Sequence, residues 1–292
     1  MKASRLRRRS HALAVAAALL TPGGAPAARR DGLTVDVPYD ASLVAQRADE
    51  AYVARLFVPA EVVAAPRAAV ALPLVVFLHG VNTDHRKFRF AGHGGEPDVR
   101  EIVGRLVTEG VVPPVVVGAP SSVVSCDYPR SLWPAFDLDR FVFDAARTLR
   151  GTLALDLERI IVVAHSGAAC NPRGGVLSAV SDTTLALRGV VLIDTCLDVP
   201  NVPLLVGLPP GVDVVVSYQT RGWPRSYDAF GEAFLGARRA RGGGLRDALT
   251  VFERRSPPAA HPHNAMVEEV LRAWLPRLLR ADPPPGGART AP

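Results

Sequence analysis

The chain has 292 residues and a formal net charge of +6, from 34 Lys and Arg against 28 Asp and Glu. Five of the basic residues (Lys2, Arg5, Arg7, Arg8, Arg9) lie in the first 27, which hold no acid, so the remainder is nearly neutral at 29 basic against 28 acidic residues. No later Lys/Arg run is interleaved with aromatics, which excludes the electrostatic footprint of a nucleic-acid binder.

In chain order, the basic start leads into an apolar stretch from Ala12 to Leu20 and then Ala25-Pro26-Ala27. A basic region, a short apolar region and a small-x-small site together predict a secretory signal peptide over residues 1–27, too short to be a stable membrane anchor. Residues 28–280 then read as one large domain, since no internal repeat or second composition appears. Ala51 to Pro59 reads as an early strand, and Pro73 to Leu78 as a strong one. Glu96 to Glu109 has Val99, Ile102, Val103 and Leu106 at helical spacing. Val112 to Gly118 is a strand with prolines at its mouth, and Leu138 to Leu149 a helix. Trp133 to Phe141 either lines the rim of a site or starts a capped helix with aromatic packing, the reading adopted for Phe141 and Phe143. Arg159 to Ala164 is a strand, followed by strands at Gly189–Ile193, Val212–Ser217 and Leu249–Glu253 and a closing amphipathic helix over Ala265–Leu279. The Pro/Gly-rich residues 281–292 have little to bury and are predicted to be disordered.

Strands alternating with helices predict an α/β fold: a mostly parallel central sheet of about seven or eight strands with helices on both faces. Ligands of such sheets bind beyond the carboxyl ends of the strands. Three cysteines remain after the signal, Cys126, Cys170 and Cys196. If their strands are neighbours, Cys170 and Cys196 share one edge of the sheet and a bridge between them is feasible. Three buried thiols are the alternative, and the sequence leaves both open.

The segment Ile160-Ile161-Val162-Val163-Ala164-His165-Ser166-Gly167-Ala168 is the most informative. A continuous apolar run marks a strand buried on both faces, and it feeds a serine into a tight turn of small residues. This resembles the nucleophile elbow of the α/β-hydrolase superfamily, G-x-S-x-G, with Ala164 and Ala168 in place of the outer glycines. The resemblance, carried by short motifs and by the order of elements over roughly residues 50–280, implies Ser166 as nucleophile. His79-Gly80-Val81-Asn82, after the strong strand, resembles the family's oxyanion turn, which implies the N–H groups of Val81 and Gly167 as oxyanion donors. The 15–20 residues between the two strands that follow the elbow strand are too few for the large cap domain that many members carry.

The family order is serine, acid, histidine. The base is expected between the last strand and the closing helix, where His261 and His263 both fall; His263 is preferred because it abuts the helix start, with His261 as the alternative. For the acid, Asp194 at the tip of an apolar strand is preferred, then Asp228, the first carboxylate after the strand where the family more often places it, then Asp198. A carboxylate ending an apolar strand needs a partner, and a histidine is a suitable one. His79, His85 and His93 lack metal-ligand spacing, and Gly92 to Gly95 is not a phosphate loop, so neither metal nor organic cofactor is expected. The expected function is an exported serine hydrolase (carboxylesterase-like) that cleaves ester or related acyl bonds through a Ser-His-Asp triad and an acyl-enzyme. Its expected partner is a small-molecule ester or acyl substrate, with no nucleic acid and no stable membrane anchor. The alternatives are a catalytically silent binding protein on the same fold, or a peptidase or acyltransferase using the same triad. The sequence does not give the oligomeric state.

Overall fold

The computed structural model describes residues 32–39, 53–64, 70–82, 90, 98–122, 133, 136–171, 173–221, 227–241 and 248–280. The predicted signal peptide, the predicted disordered tail, Cys126, His85, His93 and Gly92 to Gly95 lie outside them.

The described residues form one eight-stranded sheet, in the order β1-β2-β4-β3-β5-β6-β7-β8. The strands are β1 (Leu33–Pro38), β2 (Val53–Val58), β3 (Leu72–Leu78), β4 (Val116–Ala119), β5 (Leu155–His165), β6 (Leu187–Ile193), β7 (Asp213–Tyr218) and β8 (Thr250–Arg254). The helices are α1 (Ala60–Ala64), α2 (Val99–Thr108), α3 (Leu138–Leu149), α4 (Gly175–Asp182), α5 (Val202–Val206), α6 (Asp228–Ala240) and α7 (Pro262–Leu278). β2 runs antiparallel to β1 and β4, and the other neighbouring pairs are parallel. No large cap domain is present among the described residues: β6 and β7 are joined by a short helical turn and α5 alone.

Side chains alternate between two cores because successive strand residues point to opposite faces. Leu74, Val76 and Leu78 of β3, with Ile160, Val162 and Ala164 of β5, face one core, which α3, α4, α5 and α6 cover. Val75 and Phe77, with Ile161 and Val163, face the other, covered by α2 and α7. Each fully buried aliphatic contributes about 1.5–3 kcal/mol of transfer free energy. The central strands are therefore the firmest part of the molecule, and their carboxyl ends are a rigid platform.

The structure departs from the sequence expectation in several places, among them the helices α1, α4, α5 and α6, which the sequence reading does not include, and the start of β5 at Leu155. β1 was not anticipated; only Val37 is buried among its strand residues, so its apolar signal is slight. β4 begins at Val116, later than predicted, because Pro113 and Pro114 supply no backbone N–H to a ladder. α7 begins at Pro262, where proline's fixed φ suits the first helical turn. Phe141 is fully buried as expected, but Phe143 is 53% exposed. Position 143 falls on the face of α3 opposite Leu138, Phe141, Val142 and Ala145, which pack on the sheet.

Candidate active site

β5 delivers Ser166 to the carboxyl edge of the sheet, where the chain turns sharply into a short helical turn, Ser166–Ala169. Ser166 has φ +58°, a left-handed conformation unfavourable for an L-residue, which persists only where its surroundings hold it. Here they do. The Thr195 hydroxyl donates to the Ser166 carbonyl and accepts the Ala169 N–H at 3.1 Å. A disulfide joins Cys170 to Cys196, with Cα atoms 4.7 Å apart, so the turn after β5 is tied covalently to the turn after β6. Ala164 and Ala168, the two departures from glycine, are both buried, so a methyl group fits at each position.

Asp194 ends β6 with φ +44° and is fully buried. His263, in the first turn of α7, donates through Nδ1 to Asp194 Oδ2 at 2.5 Å. That bond fixes the tautomer: Nδ1 carries the proton and Nε2 the lone pair. His165, the residue before Ser166, donates from Nε2 to the His263 carbonyl at 3.0 Å, and the two rings lie 4.6 Å apart. The serine turn, the buried aspartate and the histidine are thus assembled at the ends of β5 and β6 by adjoining residues.

The other candidates lie elsewhere. His261 is exposed at the N-terminal cap of α7, its carbonyl accepting the N–H groups of Asn264 and Ala265. Asp228 is exposed at the first residue of α6, and Asp198 caps the short turn Val199–Asn201. The structure does not bring any of the three into the contact that His263 makes with Asp194.

On the other side of Ser166 lies the turn after β3. A side-chain carbon built on Gly80 would sit 2.3 Å from Ser166 Cβ, 2.6 Å from its Oγ and 2.9 Å from the Gly167 nitrogen, so only glycine allows this approach. His79 is buried beneath the turn. Its Nε2 accepts the Ser122 N–H at 2.9 Å, so its Nδ1 carries the proton and donates to the Gly80 carbonyl at 2.6 Å. A trans peptide points its C=O and N–H in opposite directions, so this bond turns the Val81 N–H away from the His79 ring. Asn82 Nδ2 donates to the Ser122 carbonyl at 3.1 Å and Trp133 Nε1 to the His79 carbonyl at 3.1 Å, securing the turn to its neighbours. Trp133 is wholly buried in this packing rather than exposed at a rim.

Sequence reasoning missed Thr195, Gln219, and the roles of His79 and His165. The one signal in the sequence was a polar residue directly following an apolar strand run, which holds for Gln219 and, one residue further on, for Thr195. Among the described residues no group of three or more His, Cys, Asp and Glu side chains is placed to hold a metal ion.

α7, which carries His263, is moored to the sheet by Glu253 of β8. The Glu253 carboxylate accepts bonds from Ser217 Oγ at 2.7 Å, Trp274 Nε1 at 2.7 Å and Arg255 Nε at 2.6 Å. Burial alone would push this carboxyl up, but the bonds from Arg255, Ser217 and Trp274 outweigh it and hold it below the usual glutamate range. A pKa lowered by folding stabilises the fold above the unfolded value of about 4.3, and that stability is lost as pH falls through the folded value. Wild type is therefore expected to exceed Glu253→Gln in Tm at pH 7, with the gap closing at pH 3 in thermal melts.

No protein-family model matches the chain, and no curated protein sequence is similar enough to count as a match. Solved structures do resemble it. A ferulic acid esterase superimposes with a TM-score of 0.56 at 13% identity, over 85% of this chain and 98% of the other. The feruloyl esterase module from Clostridium thermocellum, solved with sinapinate, gives 0.53 at 11% identity over 86% and 91%. An S-formylglutathione hydrolase from Agrobacterium tumefaciens gives 0.50 at 9% identity over 86% and 97%.

Proposed function

Because the chain has the α/β-hydrolase fold, we propose that it is an exported serine hydrolase that cleaves ester or related acyl bonds. The observation that carries this reading is the His263–Asp194 hydrogen bond at 2.5 Å, held beside the Ser166 turn by His165. In the proposed reaction His263 Nε2 takes the Ser166 hydroxyl proton as Oγ attacks the acyl carbonyl. Asp194 holds the imidazole tautomer and stabilises its cation. The N–H groups of Val81 and Gly167 receive the oxyanion, each worth about 3–4 kcal/mol of barrier in comparable sites. The alcohol leaves with the proton from His263. Water then attacks the acyl-enzyme by the same route, releasing the acid and restoring the serine. Export is supported by the character of residues 1–27 and by the Cys170–Cys196 disulfide, since disulfides persist in oxidising compartments.

The test is fluorophosphonate labelling of the protein lacking residues 1–27, beside Ser166→Ala. Wild type is expected to label and to hydrolyse p-nitrophenyl esters. Ser166→Ala is expected not to label and to lose roughly 10⁴- to 10⁶-fold in kcat, the loss typical of a missing serine nucleophile. A panel of acyl chain lengths, with a hydroxycinnamoyl ester and a peptide substrate, then separates esterase from peptidase. Folded wild type that does not label would overturn the hydrolase reading in favour of a silent binding protein.

A further inference from the structure

We infer that Gln219 is a positioning residue that sets the orientation of the Asp194 carboxylate toward His263; the inference rests on the proposed role of those two residues. Gln219 directly follows β7 and is 1% exposed. It grips Asp194 twice, with its backbone N–H donating to Oδ1 at 3.2 Å and its side-chain Nε2 to Oδ2 at 2.7 Å. The orientation of the amide is not arbitrary. Gln219 Oε1 accepts the Arg221 N–H at 2.6 Å, so the nitrogen must face Asp194. With His263 Nδ1–H on Oδ2, both carboxylate oxygens accept and every partner donates.

The same strand end also holds the backbone, since the Asp194 N–H donates to the Ser217 carbonyl at 2.8 Å. Asp194 needs this support because its φ of +44° is one that an L-residue does not hold unaided. β7 and the residue after it thus fix the backbone of Asp194 through Ser217 and its side chain through Gln219, while α7 reaches the carboxylate through His263. Without the Gln219 side-chain amide the carboxylate keeps the backbone N–H on Oδ1 but loses the donor on Oδ2, the oxygen that faces His263, and is held less firmly in place. Gln219 touches no reacting atom; it acts through Asp194.

The experiment compares Gln219→Met, which keeps the bulk without the donor, with Gln219→Ala and Gln219→Glu, after wild type has been shown to label and turn over. Gln219→Met and Gln219→Ala are both expected to lose roughly ten- to a hundredfold in kcat with KM little changed, the range for a lost hydrogen bond to a charged acceptor. Their fluorophosphonate labelling should slow in parallel, and the downfield Nδ1–H resonance of His263 should move. Gln219→Glu sets a second carboxyl against Asp194, and where both are ionised the added negative charge holds the proton on His263 more firmly, so the acid limb of the kcat/KM–pH profile should move to higher pH. Full activity and an unmoved resonance in Gln219→Met overturn the inference, as does loss in Gln219→Ala that Gln219→Met restores, which marks a packing role. If the Met and Ala variants fail to fold, the Gln219→Glu profile decides, and an unshifted acid limb overturns the inference. Wild type that neither labels nor hydrolyses fails the proposed function instead, a result recorded before any variant is made.

Discussion

Asp194→Asn is expected to lower kcat/KM about ten-thousandfold while the protein remains folded, the loss seen when a serine–histidine pair is left with the wrong tautomer. In wild type, Asp194 Oδ2 can only accept, so His263 must present Nδ1–H to it. Asparagine offers a donor as well as an acceptor at nearly the same volume. Its NH₂ can face His263 and draw the lone pair to Nδ1, leaving Nε2 protonated and unable to take a proton from serine. Steady-state kinetics on a p-nitrophenyl ester measure this, with circular dichroism to confirm the fold. Asp228→Asn and Asp198→Asn serve as controls and should stay within a factor of two or so of wild type, because both residues are exposed, one at the start of α6 and the other at the cap of the turn Val199–Asn201. Near-normal turnover in Asp194→Asn would dismiss Asp194 as the acid.

Gly80→Ala is expected to cost roughly 10²- to 10³-fold in kcat, comparable to losing one oxyanion donor. The added methyl would lie 2.3 Å from Ser166 Cβ and 2.9 Å from the Gly167 nitrogen, well inside contact distance. The obstacles are backbone and a short side chain with little freedom to move, so either the β3 turn or the serine turn must shift. Both proposed donors, Val81 and Gly167, belong to those turns. Gly236→Ala is the matched control: it lies within α6 and a methyl there meets nothing within 4 Å. It should leave kcat unchanged and stabilise the helix by up to about 1 kcal/mol. Comparing kcat and Tm of the two variants separates damage to the site from damage to the fold.

Much of this molecule could be read in advance where residues are buried on both faces. β3 and the second half of β5 are uninterrupted apolar runs because each must fit between two cores, and that requirement leaves few alternatives in sequence. β1 escaped because a half-exposed edge strand is under no such demand. The serine turn was legible because small residues around Ser166 have few other uses. Choosing between His261 and His263 depended on where α7 starts: Pro262 as its first residue leaves His261 outside as an exposed cap and turns His263 inward. Thr195 and Gln219 showed only as polar residues near the ends of apolar strands, with nothing local to mark what they hold. Their significance arises from contacts across 29 and 25 residues of chain, which no local pattern encodes.

The Cys170–Cys196 bridge closes α4 and β6 into a covalent ring. A protease cutting after the exposed Arg173 would divide the proposed catalytic residues between two polypeptides, Ser166 on one and Asp194 with His263 on the other. The nicked protein would still be a single molecule, because the bridge spans the cut. Only a reductant would let the two pieces part.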